Sequence, residues 1–153
     1  MEEIVTLSLS ADDYDPLKSW QLAAWCEAKG ADEWTISAMT VDGPNEAAWL
    51  EGFDEVTKPF RPLTAERPGF TELWRLNSAS FAILQELLPD GLFTYHVGED
   101  GWLEDPVFYR RGEFMLEIVS HEQEGFVRVT KAEQRLLEAE GFVFRPRGLY
   151  VGY

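Results

Sequence analysis

The run VFYRRGEFMLEIVSHEQEGFVRVTKAEQRLLEAEG, residues 107–141, decides the fold class. Within it, residues 107–110, 113–121 and 126–129 are rich in β-branched and aromatic side chains, and Gly112 and Gly125 punctuate them. That composition, bounded by glycine turns, predicts strands joined as an antiparallel meander. Residues 92–97 read as a further strand ahead of these, followed by turns at Gly98 and Gly101. Thr130-Lys131-Ala132-Glu133 then has the spacing of a capping box, in which a hydroxyl and a carboxylate each satisfy the other residue's backbone N–H. It opens a helix through Ala132, Leu136, Leu137 and Ala139, and Gly141 stops it. Residues 142–144 and 149–153 predict a closing hairpin around Pro146-Arg147-Gly148.

Toward the N-terminus, residues 4–9 alternate, with Val5, Leu7 and Leu9 on one side, which is a strand pattern. Asp15 and Pro16 are suited to the cap and the first helical position. Leu17, Trp20, Ala24, Trp25 and Ala28 follow at helical spacing, with Gly30 as the stop. Residues 34–41 alternate again and complete a strand–helix–strand unit. A short helix is expected near residues 45–50, and an ordered surface loop over the proline-containing stretch 53–69. A strand follows over 70–76. Asn77 or Ser78 caps a helix through Leu88, ended by Pro89-Asp90-Gly91. The whole chain, 1–153, is expected to be a single α+β domain. It combines a mostly antiparallel sheet, the N-terminal strand–helix–strand unit, a C-terminal meander and three to four helices. Val5, Leu7, Leu9, Trp20, Trp25, Ile36, Ile83, Leu87, Phe108, Met115, Ile118, Val127, Val129, Leu136 and Leu137 are expected in its core.

Charge narrows the partners. Residues 1–108 hold 21 Asp/Glu against 6 Lys/Arg, whereas residues 109–153 hold 7 of each, so the net −15 belongs to the first two thirds. Such a charge repels nucleic acid and anionic lipid, and neither is expected as a partner. The aromatic content, 14%, argues against an acidic disordered chain. The single cysteine, Cys26, excludes an intrachain disulfide and reads as a buried structural thiol. Met1-Glu2-Glu3-Ile4 has neither the basic start nor the apolar run of a signal peptide, and no apolar stretch reaches membrane-spanning length. A cytoplasmic protein is the expectation.

Two acidic segments enclose an aromatic residue: Ala11-Asp12-Asp13-Tyr14-Asp15 and Glu99-Asp100-Gly101-Trp102-Leu103-Glu104-Asp105. Acids that steer a basic partner around an aromatic anchor make a docking epitope. The partner-binding candidates are therefore Asp12, Asp13, Asp15, Glu99, Asp100, Trp102, Glu104 and Asp105. The competing reading of the second segment is a solvated turn with Trp102 turned into the core. Arg110-Arg111 and Arg145-Pro146-Arg147, the two basic clusters, read as polar turns, as internal complements to the acids, or as an anion contact.

His96 and His121 stand near carboxylates, but their spacing matches no compact metal motif. No metal or other cofactor is expected. Ser120-His121-Glu122 cannot act as a relay if it lies along a strand, because strand neighbours point to opposite faces. No nucleophile elbow, phosphate-binding loop or dinucleotide fingerprint occurs. These features point away from an enzyme, toward an inhibitor- or immunity-like binding protein with an acidic face for a basic partner. The alternatives are a metal-dependent or hydrolytic enzyme built on His96, His121 and nearby carboxylates, or acidity that serves solubility alone.

Overall fold

The computed structural model describes residues 2–39, 64–65, 73–97 and 102–146, with backbone alone at 38–39 and 64–65. The short helix expected near 45–50, most of the loop at 53–69 and the strand at 149–153 lie outside the described residues. Among the described residues, seven strands form one sheet: Ile4–Ser10 (β1), Glu33–Met39 (β2), Thr64–Ala65 (β3), Leu73–Arg75 (β4), Trp102–Arg110 (β5), Glu113–Val119 (β6) and Glu124–Thr130 (β7). The described helices are Pro16–Ala28 (α1), Ser78–Leu87 (α2) and Lys131–Ala139 (α3). The order across the sheet is β1-β7-β6-β5-β2-β4-β3, and every pairing is antiparallel. The fold is thus α+β, with the expected strand–helix–strand unit and C-terminal strand series. The meander β5–β6–β7 is inserted between β1 and β2, so α1 connects two strands that are not neighbours.

Local chemistry sets the helix starts. The Asp15 carboxylate accepts from the Lys18 N–H at 2.7 Å, with Pro16 as the first helical residue. The Asn77 side chain accepts from Ala79 and Ser80 N–H groups, each at 3.0 Å, and Ser80 Oγ accepts from Asn77 N–H. Thr130 and Glu133 form the reciprocal box expected of them, at 3.0 and 2.9 Å.

Strand register assigns the sheet faces. Leu9, Val127, Val129, Leu116, Ile118, Phe108, Trp34 and Trp74 occupy one face and join Leu22, Cys26, Leu84 and Leu137 of the helices in one buried cluster. That cluster draws on residues from both sides of 53–69. On the other face runs the row Ser8–Phe126–Glu117–Val107–Thr35, each residue paired with the next across adjacent strands. β6 carries one extra residue, Met115, opposite the Phe108/Tyr109 step. Such a bulge breaks the alternation, and both Met115 and Leu116 are buried.

Most of the expected core is buried or packed against it, and Leu136 is the exception at 48% exposed. α1 also presents a different face from the one its spacing suggested. Ser19, Leu22, Ala23, Trp25 and Cys26 are buried, whereas Leu17 is 68% exposed and Ala24 faces solvent. The helix carries apolar residues nearly all round, so periodicity alone could not choose its inner side. Cys26 is fully buried, and burial pushes its thiol up to about 12, which leaves it an unreactive packing residue.

Residues 92–97 are not a strand. Their backbone is held by turn and side-chain bonds: Leu92 N–H to Ser19 Oγ at 3.1 Å, Thr94 N–H to Gly91 O at 3.1 Å, and Gln123 Nε2 to Phe93 O at 2.8 Å. With those groups occupied, the segment forms no ladder. Gly91 makes the turn possible. Its φ is +93°, and a Cβ there would lie 2.6 Å from Ser19 Oγ and 2.8 Å from Pro16 Cα. Gly91→Ala is expected to cost about 1–3 kcal/mol of unfolding free energy. A denaturant titration giving wild-type stability would refute this packing of residues 88–94 on the start of α1.

Candidate functional site

The first acidic segment and the described part of the second, residues 102–105, far apart in sequence, reach the same end of the sheet. β1 ends at Ser10, opposite the first residue of β7, Glu124, which also opposes Val119 at the end of β6. β5 starts at Trp102, opposite Met39 at the end of β2. Ala11 N–H donates to Gln123 O at 2.9 Å and so joins the turn after β1 to the 3-10 turn Ser120–Glu122. Asp12, Asp13, Glu104, Asp105, Glu122 and Glu124 therefore gather at this end. The opposite end holds Lys29, Arg110, Arg111 and Lys131, with Glu2, Glu3, Glu113 and Glu133 among them.

The candidate residues do different work here. Asp12 is exposed. Asp13 is committed internally: Arg145 donates to both its oxygens, at 2.8 and 3.2 Å, and holds the carboxyl below its ordinary range. Asp15 caps α1. Tyr14, the aromatic of the first segment, is buried, and its hydroxyl donates to Val143 O at 2.8 Å. Glu99 and Asp100 lie outside the described residues. Arg110 and Arg145 each pair with an acid of the same chain, Glu133 and Asp13.

Residues 102–105 are the start of β5 and not a turn. Trp102 is half-buried and lies outside the core cluster; its indole N–H donates to Glu104 Oε2 at 3.3 Å, and its ring meets Tyr95 edge-on at 6.4 Å. Acids and a proline are unusual in a strand interior, which hid the element. Asp105 is the extra residue of a second bulge, between Thr35 and Ser37 of β2, and its φ is +56°. Two bonds of 2.8 Å hold it there: Asp105 N–H donates to Ser120 Oγ, and Ser120 N–H donates to Asp105 Oδ1.

That bulge lets consecutive carboxylates converge. One ligand atom each from Glu104, Asp105 and His121 lies within 4.8 Å of the other two. Glu117, on the same sheet face, is raised above its ordinary value, first by burial and then by the charge of Asp105. His96 is not part of this cluster; it is exposed and paired with Asp90. The run Ser120-His121-Glu122 is a 3-10 turn and not a strand, with Ser120 buried and bonded to Asp105.

No protein-family model, curated protein or solved structure matches the chain. Among the described residues, no helix is long and apolar enough to cross a membrane.

Proposed function

We propose that this chain is a non-enzymatic binding module, inhibitor- or immunity-like, that presents the acidic end of its sheet to a basic protein. The observation that supports this reading is the uneven distribution of charge along the strand axis. Acids of two remote segments meet at one end, while at the other Arg110, Arg111, Lys29 and Lys131 are balanced by Glu2, Glu3, Glu113 and Glu133. A field of that shape orients a cationic partner before contact and accelerates its association. Trp102, half-buried beside Glu104, supplies a large flat side chain at the rim.

The internal bonds choose the variant. Asp13, Asp15 and Asp105 are spared because they hold the fold, and Asp12→Asn, Glu122→Gln and Glu124→Gln are combined. Partners are captured from lysate at low salt, identified by mass spectrometry, purified and studied by stopped-flow. The triple variant is expected to slow association by about tenfold or more at low ionic strength, with dissociation changed by less than about twofold. The difference should shrink as the Debye length contracts from about 10 Å at 0.1 M salt to about 3 Å at 1 M. A captured partner that is neutral or acidic, held with salt-independent affinity, would overturn the proposal.

A further inference from the structure

We propose that Glu104, Asp105 and His121 form a binding site for one divalent transition-metal ion, of the Zn2+ or Mn2+ class, against the sequence-based expectation of no metal. The donors are two carboxylates from the β5 bulge and an imidazole from the 3-10 turn, within 4.8 Å of one another. On a tetrahedral ion with bonds of about 2.0–2.2 Å, ligand atoms lie about 3.3–3.6 Å apart, so the donors, with His121 exposed and free to turn, must close by up to about 1.5 Å when an ion binds. Open donor positions remain. Glu104 engages Trp102 through one oxygen, Oε2, and Asp105 engages Ser120 through one oxygen, Oδ1. These outer bonds aim the carboxylates, as outer-shell partners do at metal centres. An oxygen and nitrogen donor set without thiolate suits Zn2+ or Mn2+ and not a soft ion.

The local charge balance is compatible with a bound cation. Asp13, Glu3, Glu113 and Glu133 each pair with an arginine or lysine. Among the described residues, no arginine or lysine bonds to Glu104, Asp105 or the adjacent Glu117. Three carboxylates thus crowd one end of a half-buried sheet face with no arginine or lysine bonded to them among the described residues.

The site does not rest on the docking reading, since it is assayed on the chain alone and its ligand variants leave Asp12, Glu122 and Glu124 in place. Metal-free protein in about 0.15 M NaCl, which screens diffuse counterions, is titrated with ZnCl2 by calorimetry and with MnCl2 by loss of the free-ion EPR signal. One ion per chain is expected, with Zn2+ tighter than Mn2+. His121→Ala and Glu104→Gln should each weaken binding by about tenfold or more, since even outer-shell losses cost 10–100-fold. Asp105→Asn keeps an oxygen for Ser120, so its Tm should stay near that of wild type while binding weakens by about tenfold or more. The control pair Asp12→Asn, Glu124→Gln should bind within about twofold of wild type. The proposal is overturned by the absence of a saturable site, by several weak ions per chain, or by unchanged binding in His121→Ala.

Discussion

Phe108→Ala is expected to lower the unfolding free energy by about 3–5 kcal/mol. Phe108 has no exposed surface and sits on β5, between Trp34 of β2 and Leu116 of β6. Truncation there removes the transfer energy of the ring and leaves a cavity between residues that the sheet ladder holds in place, so the site collapses only partly. Against a total of about 5–15 kcal/mol for a domain, this is a large share. Urea denaturation should give a lower midpoint with an unchanged slope. Leu136→Ala is the internal comparison: the helix spacing placed it in the core beside Leu137, but its side chain is half exposed, and its loss should cost under about 1 kcal/mol. Equal costs for the two variants would show that β5 is not a central strand.

The second large effect is on acid stability. Glu133 closes the capping box of α3 and also receives Arg110 Nη1 at 2.7 Å and Nη2 at 3.0 Å, which ties the first turn of the helix to the end of β5. The side chains are only 16% and 19% exposed. The guanidinium, followed by the bonds from Thr130, holds the Glu133 carboxyl down to about 2, from 4.5 in an unperturbed chain, although burial works the other way. As pH falls, the unfolded chain takes up the proton first. The stabilisation is therefore complete above about pH 5 and is lost between about 4.5 and 2. At about 1.4 kcal/mol for each tenfold change in proton affinity, it amounts to about 3–4 kcal/mol at most. Glu133→Gln should be less stable than wild type by about that amount at pH 7, and the gap should close toward pH 2. Denaturation of both proteins across this range isolates the pair from the other acids. Glu117 works with the opposite sign, because its raised carboxyl favours the fold more as pH falls. A gap between the two proteins that does not change with pH would refute the assignment.

The acidic end was legible in composition but not in arrangement. Charge counting located the acids in the first 108 residues, and the two acid–aromatic segments drew attention for their make-up. Nothing in either segment says that both lie at the same end of one sheet. Nor does it say that Asp13 is spent on Arg145, 132 positions away, and Asp15 on its own helix. The cluster of Glu104, Asp105 and His121 was hidden by the bulge. A strict two-residue period sends Glu104 and Asp105 to opposite faces, and only the extra residue, pinned by Ser120, brings their carboxylates together. An acidic stretch containing Pro106, whose partner Ser120 lies 15 residues on, was the available signal, and it reads more readily as a turn.

Interactions that close within about four residues were decided by the sequence itself. The caps at Asp15, Asn77 and Thr130, the alternation of β1 and β7, and the glycine turn at 112 depend on bonds between near neighbours, whose geometry the local residue types dictate. Tertiary structure alone decided which face of α1 turned inward, that β5–β7 entered between β1 and β2, and that residues 92–97 gave their backbone to Ser19 and Gln123. Those outcomes depend on which strand edges and apolar surfaces meet across the folded chain. Several pairings are locally equivalent, and they differ in energy only once the whole core is assembled.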